Sequence, residues 1–158
     1  MNIVIVGTGY VGLVTGVGFA EQGHSISFID LDSSKIEKLK NKQLPFFEPD
    51  LDTYFSKKEN FNRMSFHTSY NSLNWDESEI VFICVQTPNN IETNSVDTKF
   101  LESAISEISK LNNNEIVITV KSTIPPYEIE NVCNNVGYDQ DLLTFNPCLL
   151  YTSDAADE

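Results

Sequence analysis

The residues of this chain whose types and spacing could do chemistry sit at its start. Gly7, Gly9 and Gly12 form a G-x-G-x-x-G pattern in IVIVGTGYVG, directly after a β-branched run and at the opening of an apolar, helix-like segment. In a strand–turn–helix setting each glycine has a physical task. Gly7 makes the tight turn, Gly9 lets the backbone approach a pyrophosphate, and Gly12 lets the helix pack close to the strand. The N–H groups of the first helical turn, with the helix dipole, then stabilise the phosphates. Asp30 stands 18 residues beyond Gly12, at the end of the next apolar run. A carboxylate there accepts hydrogen bonds from the adenosine ribose hydroxyls and repels a 2′-phosphate, which selects NAD over NADP. The bland alternative is a nucleotide-free α/β domain in which Asp30 only caps a helix. The order strand, turn, helix, strand, carboxylate favours the dinucleotide. No GxxxxGK occurs, so a P-loop is excluded.

Other chemistries have little to stand on. Cys84, Cys133 and Cys148 form no CxxC pair and no ligand spacing with His24 or His67, so no metal site is expected. An odd, scattered set of cysteines fits a reducing compartment better than a disulfide framework. Cys84, inside VFICV, reads as a core residue of a strand, and Cys133 as a partly exposed residue of a helix. Lys and Arg number 10 against 23 Asp and Glu, a net charge of −13. That balance argues against a general nucleic-acid or anionic-membrane binder, since both need a basic face. Residues 1–20 carry no charge, yet they lack the Lys or Arg that opens a signal peptide and hold five glycines, too many for a spanning helix. A cytoplasmic protein is expected.

The elements that must position these residues alternate along the chain. Strands are expected at 3–6, 26–29, 65–67, 79–85, 116–120 and 142–145. Helices are expected at 11–22, 33–40, 51–57, from Asp97 through Leu111, and at 129–136. The first helix reads as buried, and LPFFEPDL reads as a proline-marked loop. Strand–helix alternation implies an α/β fold, a Rossmann-type doubly wound parallel sheet with helices on both faces. At 158 residues and 41% hydrophobic, the chain has room for one such domain and enough apolar content for a core. Six of its seven glycines fall in the first 23 residues, where the backbone is under special demand.

The ordered motifs resemble the N-terminal domain of the UDP-glucose 6-dehydrogenase family, with its UDP-N-acetyl-hexosamine and GDP-mannose relatives. The family's GxGYVGL turn stands here as GTGYVGL, its GH as Gly23-His24, and its D-x-D-x-x-K-I as Asp30 to Ile36. Its P-I-Y-E-P-G-L loop is Pro45 to Leu51, its V-G-T-P is Val85 to Pro88, and its K-S-T-V-P is Lys121 to Pro125. The resemblance runs in order over residues 1–147 and implies an NAD-binding Rossmann domain, the N-terminal part of a larger enzyme. It implies that Asp30 and Lys35 hold the adenosine ribose and that the backbone at Tyr10 and Val11 faces the pyrophosphate. It also places Thr87 and Thr123 on the nicotinamide side, with Thr123 orienting a catalytic water. Read without the resemblance, Lys35 is equally a solvated helix lysine, and Thr87 and Thr123 are equally strand-end caps.

Family members oxidise the primary alcohol of a sugar nucleotide to a carboxylate in two hydride transfers to NAD, through a cysteine-bound thiohemiacetal and thioester. The resemblance puts that cysteine in a later region, absent here, so this chain alone is expected to be inactive. A UDP-sugar is the implied substrate, UDP-glucose first and a UDP-N-acetyl-hexosamine or GDP-mannose as alternatives. The full-length enzyme is expected to be a homodimer built on a central helix outside this chain, which would leave the fragment monomeric. Three departures bear on the sugar: Asp50 and Gln86 stand where the family has glycine, and Tyr127-Glu128 where it has Gly-Thr. The largest departure follows Asn146-Pro147, where CLLYTSDAADE, Cys148 to Glu158, replaces the family's glutamate-bearing continuation. That string resembles translated transposon-adapter DNA from sequencing libraries, so 148–158 is expected to be a non-native tail. A rival of another class is a regulatory NAD-sensing module, which explains the turn and Asp30 but not the KSTIP and EP motifs.

Overall fold

The computed structural model describes residues 1–90, 95–111 and 116–147; the tail from Cys148 to Glu158 lies outside them. The elements run β1 (Asn2–Val6), α1 (Tyr10–Glu21), β2 (Ser25–Ile29), α2 (Ser33–Lys40), α3 (Leu51–Ser56), α4 (Lys58–Phe61), β3 (Met64–His67) and β4 (Ile80–Ile83). A small hairpin of β5 (Asn89–Asn90) and β6 (Ser95–Val96) follows, then α5 (Lys99–Leu111), β7 (Val117–Val120), α6 (Pro126–Val136) and β8 (Leu143–Phe145). Six strands form one sheet in the order β3-β2-β1-β4-β7-β8. All of its pairs are parallel. The chain starts at the centre, winds outward through β2 and β3, then returns to wind the other way. The strand order therefore reverses between β1 and β4, where ligands enter open α/β sheets.

Alternation along β1 explains why helices cover both faces. Ile3 and Ile5 join a core with Leu13, Val17 and Ala20 of α1 and Ile36 and Leu39 of α2. Val4 and Val6 point to the opposite core, with Leu101, Ala104, Ile105 and Ile108 of α5 and Val132 of α6. Each Val, Leu or Ile among these contributes on the order of 1.5–3 kcal/mol by leaving water. A slip of one residue would exchange the two faces, so the register is fixed by packing as well as by hydrogen bonds.

The expected fold class is the observed one, with corrections at the ends of elements. Helix α1 buries one face, Gly12, Leu13, Gly16, Val17 and Ala20, and exposes Tyr10 and Val14 on the other. It is therefore not buried all round. Strand β4 stops at Ile83, short of the expected Val85, so Cys84 is not a strand residue. Cys133 is buried in α6, not partly exposed, and burial, with Asp139 nearby, pushes its thiol pKa up. Helix α6 begins at Pro126, three residues before the expected Ile129, because proline at the first helical position has no N–H to leave unpaired. Asp97 sits before α5 as expected and accepts the Lys99 N–H at 3.1 Å.

Candidate functional site

A cleft of about 240 Å³ opens at the C-terminal ends of β1, β2 and β4. The turn Gly7-Thr8-Gly9 forms its floor, with Asp30, Leu31 and Lys35 on one side and Cys84, Val85 and Gln86 on the other. Phe100 and Ser103 of α5 and the buried Tyr70 complete the wall. The turn is shaped by close approaches. Gly7 adopts φ +97°, and a Cβ there would stand 2.6 Å from the Cys84 carbonyl oxygen. A Cβ on Gly12 would collide with the Gly7 carbonyl, so α1 can start this close to β1 only with glycine. Gly9 differs: a Cβ there would meet nothing within 4 Å, and the space beside it opens to the cleft. No acidic residue stands in the first turn of α1.

Asp30 leaves β2 with its carboxylate turned back on that loop. Its Oδ2 accepts the Thr8 N–H at 2.9 Å and the Thr8 hydroxyl at 2.6 Å. Its Oδ1 accepts the Asp32 N–H at 3.0 Å, and the Lys35 ammonium lies 3.7 Å from Oδ2. Burial works to raise the Asp30 pKa, but the hydrogen bonds from Thr8 and Asp32, with Lys35 close by, outweigh it and hold the carboxyl below its usual range. Asp32, not Asp30, caps α2, accepting the Ser34 and Lys35 N–H groups. The cap fixes the first turn of α2 and so delivers Lys35 to the cleft.

The other residues singled out in the sequence fall into two groups. Tyr10 turns outward: its ring stacks on Phe46 at 4.0 Å and its hydroxyl donates to the Phe47 carbonyl at 2.8 Å, tying the 44–50 loop to the start of α1. Val11 is half-buried in the same helical turn. Thr87 and Thr123 meet each other, the Thr87 hydroxyl donating to the Thr123 carbonyl at 2.9 Å. Beside them the Ser122 hydroxyl donates to the Val85 carbonyl at 2.6 Å. These bonds join the loops after β4 and β7, but neither threonine lines the cleft. Sequence reasoning missed Thr8, Tyr70, Phe100 and Ser103. Thr8 lay inside the glycine motif, whereas the two α5 residues carried no signal beyond helix periodicity. Among the described residues, no group of three His, Cys, Asp or Glu side chains could hold a metal ion. No described helix is long and apolar enough to cross a membrane.

Residues 1–147 match the model of the UDP-glucose/GDP-mannose dehydrogenase family, NAD binding domain. The chain belongs to this family. A UDP-glucose 6-dehydrogenase from Rickettsia bellii is 40% identical over 136 residues, 86% of this chain and 30% of that protein. One from Bacillus subtilis is 38% identical over 125 residues, 79% of this chain and 28% of that protein. Among solved structures, a ternary complex of GDP-mannose dehydrogenase from Pseudomonas aeruginosa superposes with a TM-score of 0.80 at 27% identity, covering 93% of this chain and 36% of that one. A UDP-glucose dehydrogenase from Pyrobaculum islandicum gives 0.75 at 28% identity over 92% of this chain and 34% of that one. The chain thus spans about 30% of the length of the curated relatives it matches.

Departures from the UDP-glucose/GDP-mannose dehydrogenase pattern have physical consequences. Asp50 adopts φ 64°, a left-handed conformation that the family's glycine takes without strain. Gln86 adds a side chain to the cleft wall where the family has none. Tyr127 is exposed in the first turn of α6 and does not line the cleft.

Proposed function

We propose that this chain holds NAD in the cleft above β1, β2 and β4 as the cofactor-binding part of an enzyme that oxidises a UDP-sugar, UDP-glucose at C6. The observation that carries the reading is the Asp30 carboxylate, hydrogen-bonded through both oxygens beside the Gly7-Thr8-Gly9 turn. The residues present fit NAD. Space is open at Gly9, the first turn of α1 carries no competing acid, and the wall next to Asp30 is apolar at Leu31 and Phe100. An acidic chain can bind an anionic ligand here because the attraction comes from nearby N–H groups and the helix dipole, not from net charge.

When bound, NAD supplies the hydride acceptor for alcohol oxidation. The chain's own part is binding and orientation. Asp30 accepts from a ribose hydroxyl, Lys35 adds a donor at the same edge, and the backbone from Gly9 through Gly12 receives the pyrophosphate. Thr87 and Thr123 do not line this cleft; their mutual hydrogen bond makes the loops after β4 and β7 one unit, on the side where the nicotinamide end would lie. The choice of UDP-glucose follows the names of the relatives in Rickettsia and Bacillus.

Calorimetric titration tests the reading. NAD is expected to bind, with NADP at least about tenfold weaker, because a 2′-phosphate meets a fixed carboxylate. Asp30→Ala is expected to weaken NAD binding and to remove most of the preference. Equal affinity for the two dinucleotides, or an unchanged preference in Asp30→Ala, overturns it.

A further inference from the structure

Thr8 is the middle residue of the glycine turn, and it is fully buried at 0% exposure. A buried hydroxyl needs a partner, and that of Thr8 spends its proton on Asp30 Oδ2, the oxygen that also receives the Thr8 N–H. Oδ1 is held by the Asp32 N–H at the start of α2. An ionised carboxylate offers about four acceptor positions. The fold fills three of them, and the unfilled one lies on Oδ1. Both oxygens are therefore anchored from different elements: the turn after β1 and the cap of α2.

We propose that Thr8 is a positioning residue for cofactor choice: its hydroxyl fixes Asp30 in place so that the cleft accepts a ribose with a free 2′-hydroxyl and rejects one carrying a 2′-phosphate. The proposal rests on the reading of Asp30 as the ribose partner. An unclamped aspartate can relieve repulsion from a phosphate in two ways, by rotating away or by taking up a proton. Rotation here breaks the three hydrogen bonds to the carboxylate, two of them from Thr8, and strands the buried Thr8 O–H and N–H, which is costly. Protonation is opposed because the bonds from Thr8 and Asp32 favour the charged form. The other titratable groups around Asp30 do not supply this clamp. Lys35 on α2 is partly exposed and 3.7 Å away, and Asp32 faces its own helix. His67 on β3 offers Asp30 only its backbone carbonyl, while its ring bonds Ser65 and Ser72. Burial pushes the Tyr70 hydroxyl up to about 12, so it stays neutral. Cys84 borders the cleft from the far side of the turn.

The test compares Thr8→Val, which removes the hydroxyl at similar volume, with Thr8→Ser and Thr8→Ala, which differ from each other by that hydroxyl alone. Two quantities are measured on the whole chain: the NAD-to-NADP affinity ratio by calorimetry, and the acid midpoint of the Asp30 carboxyl by carbon NMR without ligand. Loss of the hydroxyl in Val and Ala is expected to lower the affinity ratio roughly tenfold and to move the Asp30 midpoint upward, while Ser keeps both. Equal ratios and midpoints in Ser and Ala overturn the proposal. If Val does not fold, the Ser and Ala pair decides alone. If no variant lacking the hydroxyl folds, the proposal is also overturned, since the hydroxyl is then a requirement of the fold and not a device for choosing a cofactor. A wild-type chain that binds neither dinucleotide overturns the NAD reading, and this proposal falls with it. An unchanged affinity ratio in a chain that does bind NAD overturns the role of Thr8 alone.

Discussion

Asp30 stays ionised in spite of its partial burial, and that has a consequence for stability. Loss of water raises its pKa, but the bonds from Thr8 and Asp32 and the charge of Lys35 bring it below the ordinary value. With the folded value below the unfolded one, ionised Asp30 stabilises the fold at pH above the unfolded value. That contribution is lost as pH falls through the folded value. Asp30→Asn is therefore expected to be less stable than wild type at pH 7, with the gap closing toward pH ~3. Urea denaturation at the two pH values checks it, and an equal gap at both would contradict it. At this scale the sequence revealed residue types but not partners. Asp30 and the glycines were legible because their chemistry needs a fixed spacing. Thr8 was not, because a buried hydroxyl reveals its role only once its acceptor is placed beside it. Thr87 and Thr123 were legible as a pair of motif residues, yet their bond to each other and their distance from the cleft wall depend on loops that no periodicity describes.

At the scale of elements, strong patterns translated directly. The β-branched run of β1 and the 3–4 spacing of Leu101, Ala104, Ile105 and Ile108 in α5 each report a buried face, and each face lies in a core. Elements too short for a period were silent: α4 has four residues, and each strand of the β5–β6 hairpin has two. Ends were displaced where the chain stops pairing for reasons outside the local sequence. Strand β4, for example, ends where the Cys84 carbonyl must pass Gly7. The loop before α3 holds the clearest element-level strain. Asp50 sits at φ 64° and its side chain makes no capping bond to α3, so capping does not offset the left-handed backbone. Asp50→Gly is expected to stabilise the chain by roughly 0.5–1 kcal/mol. Thermal unfolding measures this, and a lower midpoint in the variant would contradict it.

On the scale of the whole molecule, the cleft described above lies at the strand ends of one doubly wound sheet, so the proposed NAD site can be tested on this chain. Turnover is a different matter. The chain spans about 30% of its curated relatives, and Cys133, one of its described cysteines, is buried with its thiol pKa raised. A raised thiol pKa disfavours the thiolate that would attack an aldehyde. With NAD and UDP-glucose the chain alone is expected to produce no NADH; steady absorbance growth at 340 nm would contradict this. The acidic net charge of −13 does not oppose dinucleotide binding, because fields of exposed charges are screened within about 8–10 Å at ordinary salt. The central claim is that the glycine turn and Asp30 form one NAD site, and amide NMR tests it most directly. On titration with NAD, the largest shifts are expected at Gly7, Thr8, Gly9, Leu31 and Lys35, and Asp30→Ala is expected to weaken the response at all of them together. Shifts confined to residues away from this cleft, or an unchanged titration in Asp30→Ala, would contradict the account.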